Sequence, residues 1–232
     1  MAERVEIGDA VLYRGDCLDI LPDLLTADVI LTDPVWPNCP AGLLPGSDDP
    51  CGLWRRTMAC LPPVARLIAI LRCDSDPRFL TPVPEALRFF RTIQLPYALP
   101  SFLGRVLGGD EIAYWFGSPV VTGPGRQVVP GRGPSMQPSD RLANGHPCSR
   151  AQPHFDWLVN WCSDPADVVC DPFMGSGTTG VACVKLGRPF IGVEIEPRWF
   201  DLACSRIEAA QRQGDLLVPR RPRRELAEAR LI

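Results

Sequence analysis

The sequence has no long hydrophobic run, only two histidines, and no pair of cysteines spaced as CxxC. A helix crossing a membrane needs roughly 18 or more apolar residues in a row, and no stretch offers a candidate. The first residues, MAERVEIGDAVLY, carry acids early and lack an apolar core, so no secretory leader is expected and a cytoplasmic protein is. Ten cysteines are present, but they are scattered from Cys17 to Cys204, with only His146 and His154 to assist them. That pattern favours reduced thiols over a disulfide framework, and no metal site is expected. An overall excess of positive charge is missing too: 24 Lys and Arg stand against 27 Asp and Glu, a net charge of −3. Taken whole, such a chain is not an obvious partner for a polyanion.

The distribution of charge points the other way. Residues 122–154 hold Arg126, Arg132, Arg141 and Arg150 with both histidines, against Asp140 alone, and further arginines crowd the end of the chain. A local basic face suits phosphate contacts. The plainer alternative is that these arginines keep a loop and a tail soluble.

The 232 residues suit one α/β domain. Apolar runs at 11–13, 28–32, 66–71, 111–116, 167–170 and 190–193 read as strands buried on both faces. Helical patterns lie at 85–93, 153–161 and 197–211. The last is the clearest, with Trp199, Leu202, Ala203, Ile207 and Ala210 at helical spacing behind Pro197. Alternating strands and helices predict a mostly parallel, doubly wound sheet with helices on both faces. The division expected is a first half at 1–116, a Gly/Pro-rich basic loop at 117–145, a second half at 146–212 and a basic tail at 213–232.

Two segments carry chemistry. DPFMGSGTTG, at 171–180, follows an apolar strand. Gly175 and Gly177 permit a tight turn, Ser176, Thr178 and Thr179 offer hydroxyls, and a helix beginning here aims N–H groups at an anion. No Gly-Lys-Ser/Thr follows, so this is not a Walker A loop. Rossmann-type logic puts an acid roughly 20 residues on, at the next strand end, to hold ribose hydroxyls; Glu194 stands at that spacing. The second segment, TDPVW at 32–36, also ends a strand. Asp33 and the Pro34 carbonyl can accept both hydrogens of an amino group, and Trp36 can stack on a ring. Taken alone, the same segment is a proline-terminated strand with a core tryptophan.

In this order the two segments resemble the circularly permuted β group of the N6-adenine/N4-cytosine DNA methyltransferases. In that family a DPPY-type catalytic motif precedes a DPFxGSGTT cofactor motif. Gly15-Asp16, the His146-Pro147-Cys148-Ser149-Arg150-Ala151 segment and Gly192-Val193-Glu194 are similar to further family motifs. The resemblance implies a Rossmann-like S-adenosylmethionine-dependent methyltransferase fold with a seven-stranded sheet. By position, Asp171, Phe173, Gly175, Ser176, Gly177 and Thr178 would line the S-adenosylmethionine pocket, Glu194 would hold the ribose and Asp16 would lie near the adenine. Arg150 stands where the family has a lysine facing the methionine carboxylate. Asp33, Pro34 and Trp36 would hold a base flipped out of double-stranded DNA.

Val35 replaces the family's second proline and Trp36 its usual tyrosine. No large target-recognition domain is present, so 117–145, through Arg126, Arg132 and Arg141, or a second subunit in a homodimer, would have to read the DNA. Aspartate at the head of the motif favours N6 of adenine over N4 of cytosine, in a modification enzyme of the restriction–modification kind. Other amino acceptors, in RNA or a protein glutamine, usually go with asparagine at that position. The alternative of a different class is a non-catalytic, methyltransferase-like DNA-binding subunit.

Overall fold

The structure is a computed structural model that describes residues 3–24, 26–97, 101–103, 106–120, 129–137 and 145–214. Its centre is an eight-stranded sheet. In chain order the strands are β1 (Glu3–Ile7), β2 (Ala10–Arg14), β3 (Val29–Thr32), β4 (Arg66–Arg72), β5 (Phe89–Leu95), β8 (Glu111–Gly117), β9 (Val169–Asp171) and β10 (Phe190–Glu194). A separate small hairpin joins β6 (Ser101–Leu103) to β7 (Val106–Gly108). The sheet order is β1-β2-β10-β9-β3-β4-β8-β5, so strands from both halves of the chain interleave. The pairs from β2 through β4 are parallel, while β8 runs antiparallel between β4 and β5.

The expected seven strands become eight because β1 folds back on β2 as an antiparallel edge. Its sequence, ERVEI, sets Val5 and Ile7 among charged residues, as an edge half-open to water does. The central strands are buried on both sides, and their side chains alternate between two cores. Leu67, Ala69 and Leu71 of β4 join one core with Trp54 and Met58 of α2 (Pro50–Ala59) and Ile20 of α1 (Cys17–Ile20). Ile68 and Ile70 join the other. That second core includes Phe155 and Leu158 of α3 (Gln152–Cys162), Val181 and Ala182 of α4 (Thr178–Lys185), and Phe200, Ala203 and Ile207 of α5 (Pro197–Gly214). Helices therefore cover both faces.

One expected helix is a strand. Residues 85–93 form turns that lead into β5, where Ile93 and Leu95 are buried and Thr92 and Gln94 are exposed. That period of two is a strand's, and the aromatic and β-branched residues Phe89, Phe90, Thr92 and Ile93 suit it. Along the second half of this edge strand, Gly131–Met136 adds short parallel contacts: Gln94 N–H donates to Gly131 at 3.0 Å and Gly133 N–H donates to Gln94 at 2.8 Å. Among the described residues no helix is long and apolar enough to cross a membrane.

Candidate active site

The two motif segments lie 139 positions apart in sequence, and the sheet makes them neighbours. β3 and β9 pair in parallel, so TDPVW and DPFMGSGTTG leave the same end of adjacent strands. A direct clasp joins them: Thr32 Oγ1 donates to Asp171 Oδ1 at 2.8 Å. Asp171 also accepts from Thr179 Oγ1 at 2.5 Å and from Phe173 N–H at 3.1 Å. Burial pushes its carboxyl up to about 7, against the pull of those three donors. Asp171 borders the cleft, but its oxygens are taken up in fastening the two loops together.

A cleft of about 250 Å³ opens here. It is bordered by Asp16, Asp33, Val35, Trp36, His146, Cys148, Arg150, Asp171, Phe173, Gly175, Ser176, Thr178 and Glu194. A second hollow, of about 370 Å³, shares Trp36, His146, Cys148 and Arg150 with it and reaches to Glu111.

At one end stands Glu194, the last residue of β10. Its Oε2 accepts from Gly175 N–H and its Oε1 from Glu196 N–H, both at 2.8 Å. Burial raises its carboxyl above the ordinary range, against these backbone donors. Each oxygen accepts one N–H and has capacity for another donor, which is what vicinal hydroxyls require. Asp16 caps α1 through Leu18 N–H at 2.9 Å and borders the same end.

The glycine loop between them needs its glycines for backbone reasons. Gly175 has φ +54° and Gly177 φ +80°, left-handed values that glycine alone adopts freely. A Cβ on Gly177 would lie 2.9 Å from Ala203 Cβ on α5. Gly177 thus lets the loop pack closely against α5. Helix α4 starts directly after it, at Thr178.

At the other end stands Asp33, one residue past β3. Arg150 grips it with two hydrogen bonds, Nε to Oδ2 at 2.5 Å and Nη2 to Oδ1 at 3.0 Å. The third arm, Nη1, donates to Glu111 Oε1 at 2.7 Å. Arg150 borders the cleft, and three of its five N–H groups are engaged by two carboxylates. Burial alone would depress its pKa, yet Asp33 and Glu111 outweigh that and raise it, so it is charged at all working pH values. The same guanidinium lies 5.2 Å from the centroid of the Trp36 ring, with Arg72 at 6.0 Å. Trp36 is 4% exposed, and its buried indole N–H has no hydrogen-bond partner among the described residues. Pro34 is buried between Asp33 and Val35 and does not border the cleft.

Cys148 borders both hollows, and burial pushes its thiol up to about 11, so it does not offer the thiolate that covalent attack on a base needs. His146 Nδ1 accepts from Cys148 N–H at 3.2 Å, and its ring meets Trp199 edge-on, 4.6 Å between centroids. Burial lowers its pKa below the usual histidine value. Among the described residues no cluster of His, Cys, Asp or Glu could hold a metal ion.

Of the basic residues expected to meet nucleic acid, Arg132 is exposed beside the end of β5, while Arg126 and Arg141 lie outside the described residues. The sequence reading missed Glu111 and Arg206. Glu111 looked like a polar strand boundary and is 1% exposed. Arg206 falls between Ala203 and Ile207 on the buried stripe of α5, and a charge on that stripe was the signal available.

Comparison with protein families matches residues 89–205, half of the chain, to the N6_N4_Mtase family, described as DNA methylase. The chain belongs to this family. The matched region takes in Glu111, Arg150, the glycine loop and Glu194, and leaves TDPVW outside. Among curated relatives, the chain is 36% identical over 70 residues to Type II methyltransferase M2.DpnII of Streptococcus pneumoniae, which is 30% of this chain and 26% of that protein. It is 35% identical over 65 residues to DNA adenine methyltransferase YhdJ of Escherichia coli K12, 28% of this chain and 22% of that protein. These matches thus span about a quarter of the length of the curated relatives. Among solved structures, the M1.HpyAVI complex with SAM aligns with a TM-score of 0.66 at 24% identity, over 84% of this chain and 98% of that one. PvuII DNA methyltransferase (cytosine-N4-specific) aligns at 0.64 and 17% identity, over 86% of each chain. At these identities the likeness shows the fold: Rossmann-like, as in S-adenosylmethionine-dependent DNA methyltransferases.

Proposed function

We propose that this chain transfers a methyl group from S-adenosylmethionine to N6 of adenine in double-stranded DNA, as a cytoplasmic member of the permuted β group. The observation that carries the reading is the clasp of Thr32 on Asp171, which sets an amine-accepting carboxylate and a hydroxyl-accepting carboxylate along one cleft. The chain order, TDPVW before DPFMGSGTTG, is that of the permuted group.

The pocket suits the cofactor in three ways. Glu194 has acceptor capacity for both ribose hydroxyls, Phe173 and Val35 provide apolar walls for the adenine, and Ser176 and Thr178 border the cleft at the start of α4. When bound, S-adenosylmethionine supplies an electrophilic methyl on a positively charged sulfur. The target base leaves the duplex stack and enters beside Trp36. Asp33, aimed by the two-pronged grip of Arg150, accepts a hydrogen of the exocyclic amine through lone pairs that Arg150 does not use. That hydrogen bond strengthens as positive charge builds on the nitrogen, and this is the rate-enhancing contribution of Asp33. Arg132, with Arg126 and Arg141, contacts phosphates from the basic loop at 117–145, whose Pro134 carbonyl meets His154 Nε2 of α3 at 2.9 Å.

Aspartate at the head of the motif and the similarity to the DNA adenine methyltransferase YhdJ both favour adenine. N4 of cytosine is the second reading, because the family includes both chemistries. Sequencing DNA from cells expressing the protein, with detection of modified bases, tests the proposal. N6-methyladenine at one short motif is expected. N4-methylcytosine would correct the target alone, and unmodified DNA from cells rich in folded protein would favour the non-catalytic subunit suggested by Val35.

A further inference from the structure

Four arginines are buried or largely buried in the described core, Arg66, Arg150, Arg188 and Arg206, and the first two are paired with acids. Arg66 pairs with Asp164 and Asp167, and Arg150 with Asp33 and Glu111. Arg206 has none among the described residues. Its Nη1 donates to the Ser176 carbonyl, to Ser176 Oγ at 3.1 Å and to Thr178 Oγ1 at 3.4 Å, and its Nη2 to Gln152 Oε1 at 3.0 Å. All four acceptors are neutral. Asp156 joins this network only through the Gln152 amide, and is itself paired with Lys185 at 2.9 Å. Removing a guanidinium from water without an anion is unfavourable, and burial accordingly pulls Arg206 down to about 10.

Two facts connect this cation to the cleft. The residues it holds, Ser176 and Thr178, border the cleft, although Arg206 itself does not. Its charge also reaches inside, since it helps lower the pKa of His146, another bordering residue. The start of α4 adds the partial positive charge of a helix N-terminus at the same loop.

We propose that Arg206 is a positioning residue for the carboxylate of the cofactor's methionine end. It braces Ser176 and Thr178 from behind and supplies positive charge to that subsite. The inference rests on the S-adenosylmethionine reading of the cleft and deepens it.

The test is calorimetric titration of the full chain with S-adenosylmethionine and with its decarboxylated form, which keeps the adenosine and the sulfonium. Wild-type protein should prefer the intact cofactor by about tenfold or more. R206M should lose most of that preference by binding the intact cofactor about tenfold more weakly while changing the decarboxylated form less than about threefold, and R206K should retain part of the preference. Equal weakening of both ligands would reduce Arg206 to a structural brace and overturn the proposal, as would unchanged affinity. If R206M does not fold, the wild-type preference and R206K still decide, because equal wild-type affinity for both ligands overturns the proposal by itself. Wild-type protein that binds neither ligand would instead remove the cofactor reading, and the Arg206 role with it.

Discussion

Glu194 and Asp33 stand at the ends of two parallel strands of one sheet, and the protein treats the same functional group in opposite ways at the two places. Glu194 is held by neutral backbone N–H groups, and among the described residues no cation pairs with either oxygen. Asp33 is gripped on both oxygens by a buried guanidinium. A carboxylate held by amides keeps its full charge for incoming hydroxyls, which suits binding. One held by a guanidinium is fixed in direction with its charge balanced, which suits aiming a reacting amine. On the proposed reading the cleft has a binding end and a chemical end, and substitutions should separate them.

The largest effect is expected at the chemical end. Asp33→Ala should cut methyl transfer by roughly a hundredfold to a thousandfold or more, while calorimetry shows cofactor affinity within about threefold of wild type. A parallel loss of affinity would erase the division. Next comes Glu194→Ala, which should weaken cofactor binding by roughly 1.5–3 kcal/mol, the usual range for hydrogen bonds to a charged group. Transfer should then recover at saturating cofactor, and a variant whose kcat stayed low there would place Glu194 in the chemistry. Trp36→Ala should weaken the hold on the base by about 1–3 kcal/mol, seen as a raised KM for DNA. Because Arg150 lies over the same ring, some loss of kcat should accompany it.

The smallest effect concerns the clasp between the two ends. Asp171 is raised to about 7, so the folded chain keeps a proton there that the unfolded chain has already released. The stability this contributes is fully present at low pH and is lost as pH rises through about 7. Wild-type protein should therefore gain stability relative to Asp171→Asn on passing from pH 8 to pH 5, read as the urea midpoint. A difference between the two that does not change with pH would contradict it.

The binding end was the more legible in the sequence. Gly175, Gly177 and Glu194 announce themselves by residue type and spacing, because tight turns and ribose hydroxyls accept few alternatives. Asp33 was legible as a candidate, but its partner was not. Arg150 lies 117 positions away, and the pairing depends on where a loop returns to the sheet. Helix α2 was overlooked inside a proline-rich stretch, although Asp49 caps it and Pro50 sits in its first turn, where proline is well tolerated. EALRFFRTI has apolar residues at helical intervals and reads as a helix, yet it leads into strand β5. At a sheet edge, Ile93 and Leu95 face inward and Phe89 and Phe90 remain largely exposed. Arg206 shows the same limit, since nothing in the local sequence says that no acid will meet it.

Whether the two ends act on each other is tested most directly by incubating purified wild-type protein with duplex DNA and methyl-labelled S-adenosylmethionine, then digesting the DNA to nucleosides. The account predicts label in N6-methyladenine, and no label when Asp33 is alanine. Wild-type protein that binds both cofactor and DNA yet leaves adenine and cytosine unlabelled would contradict it.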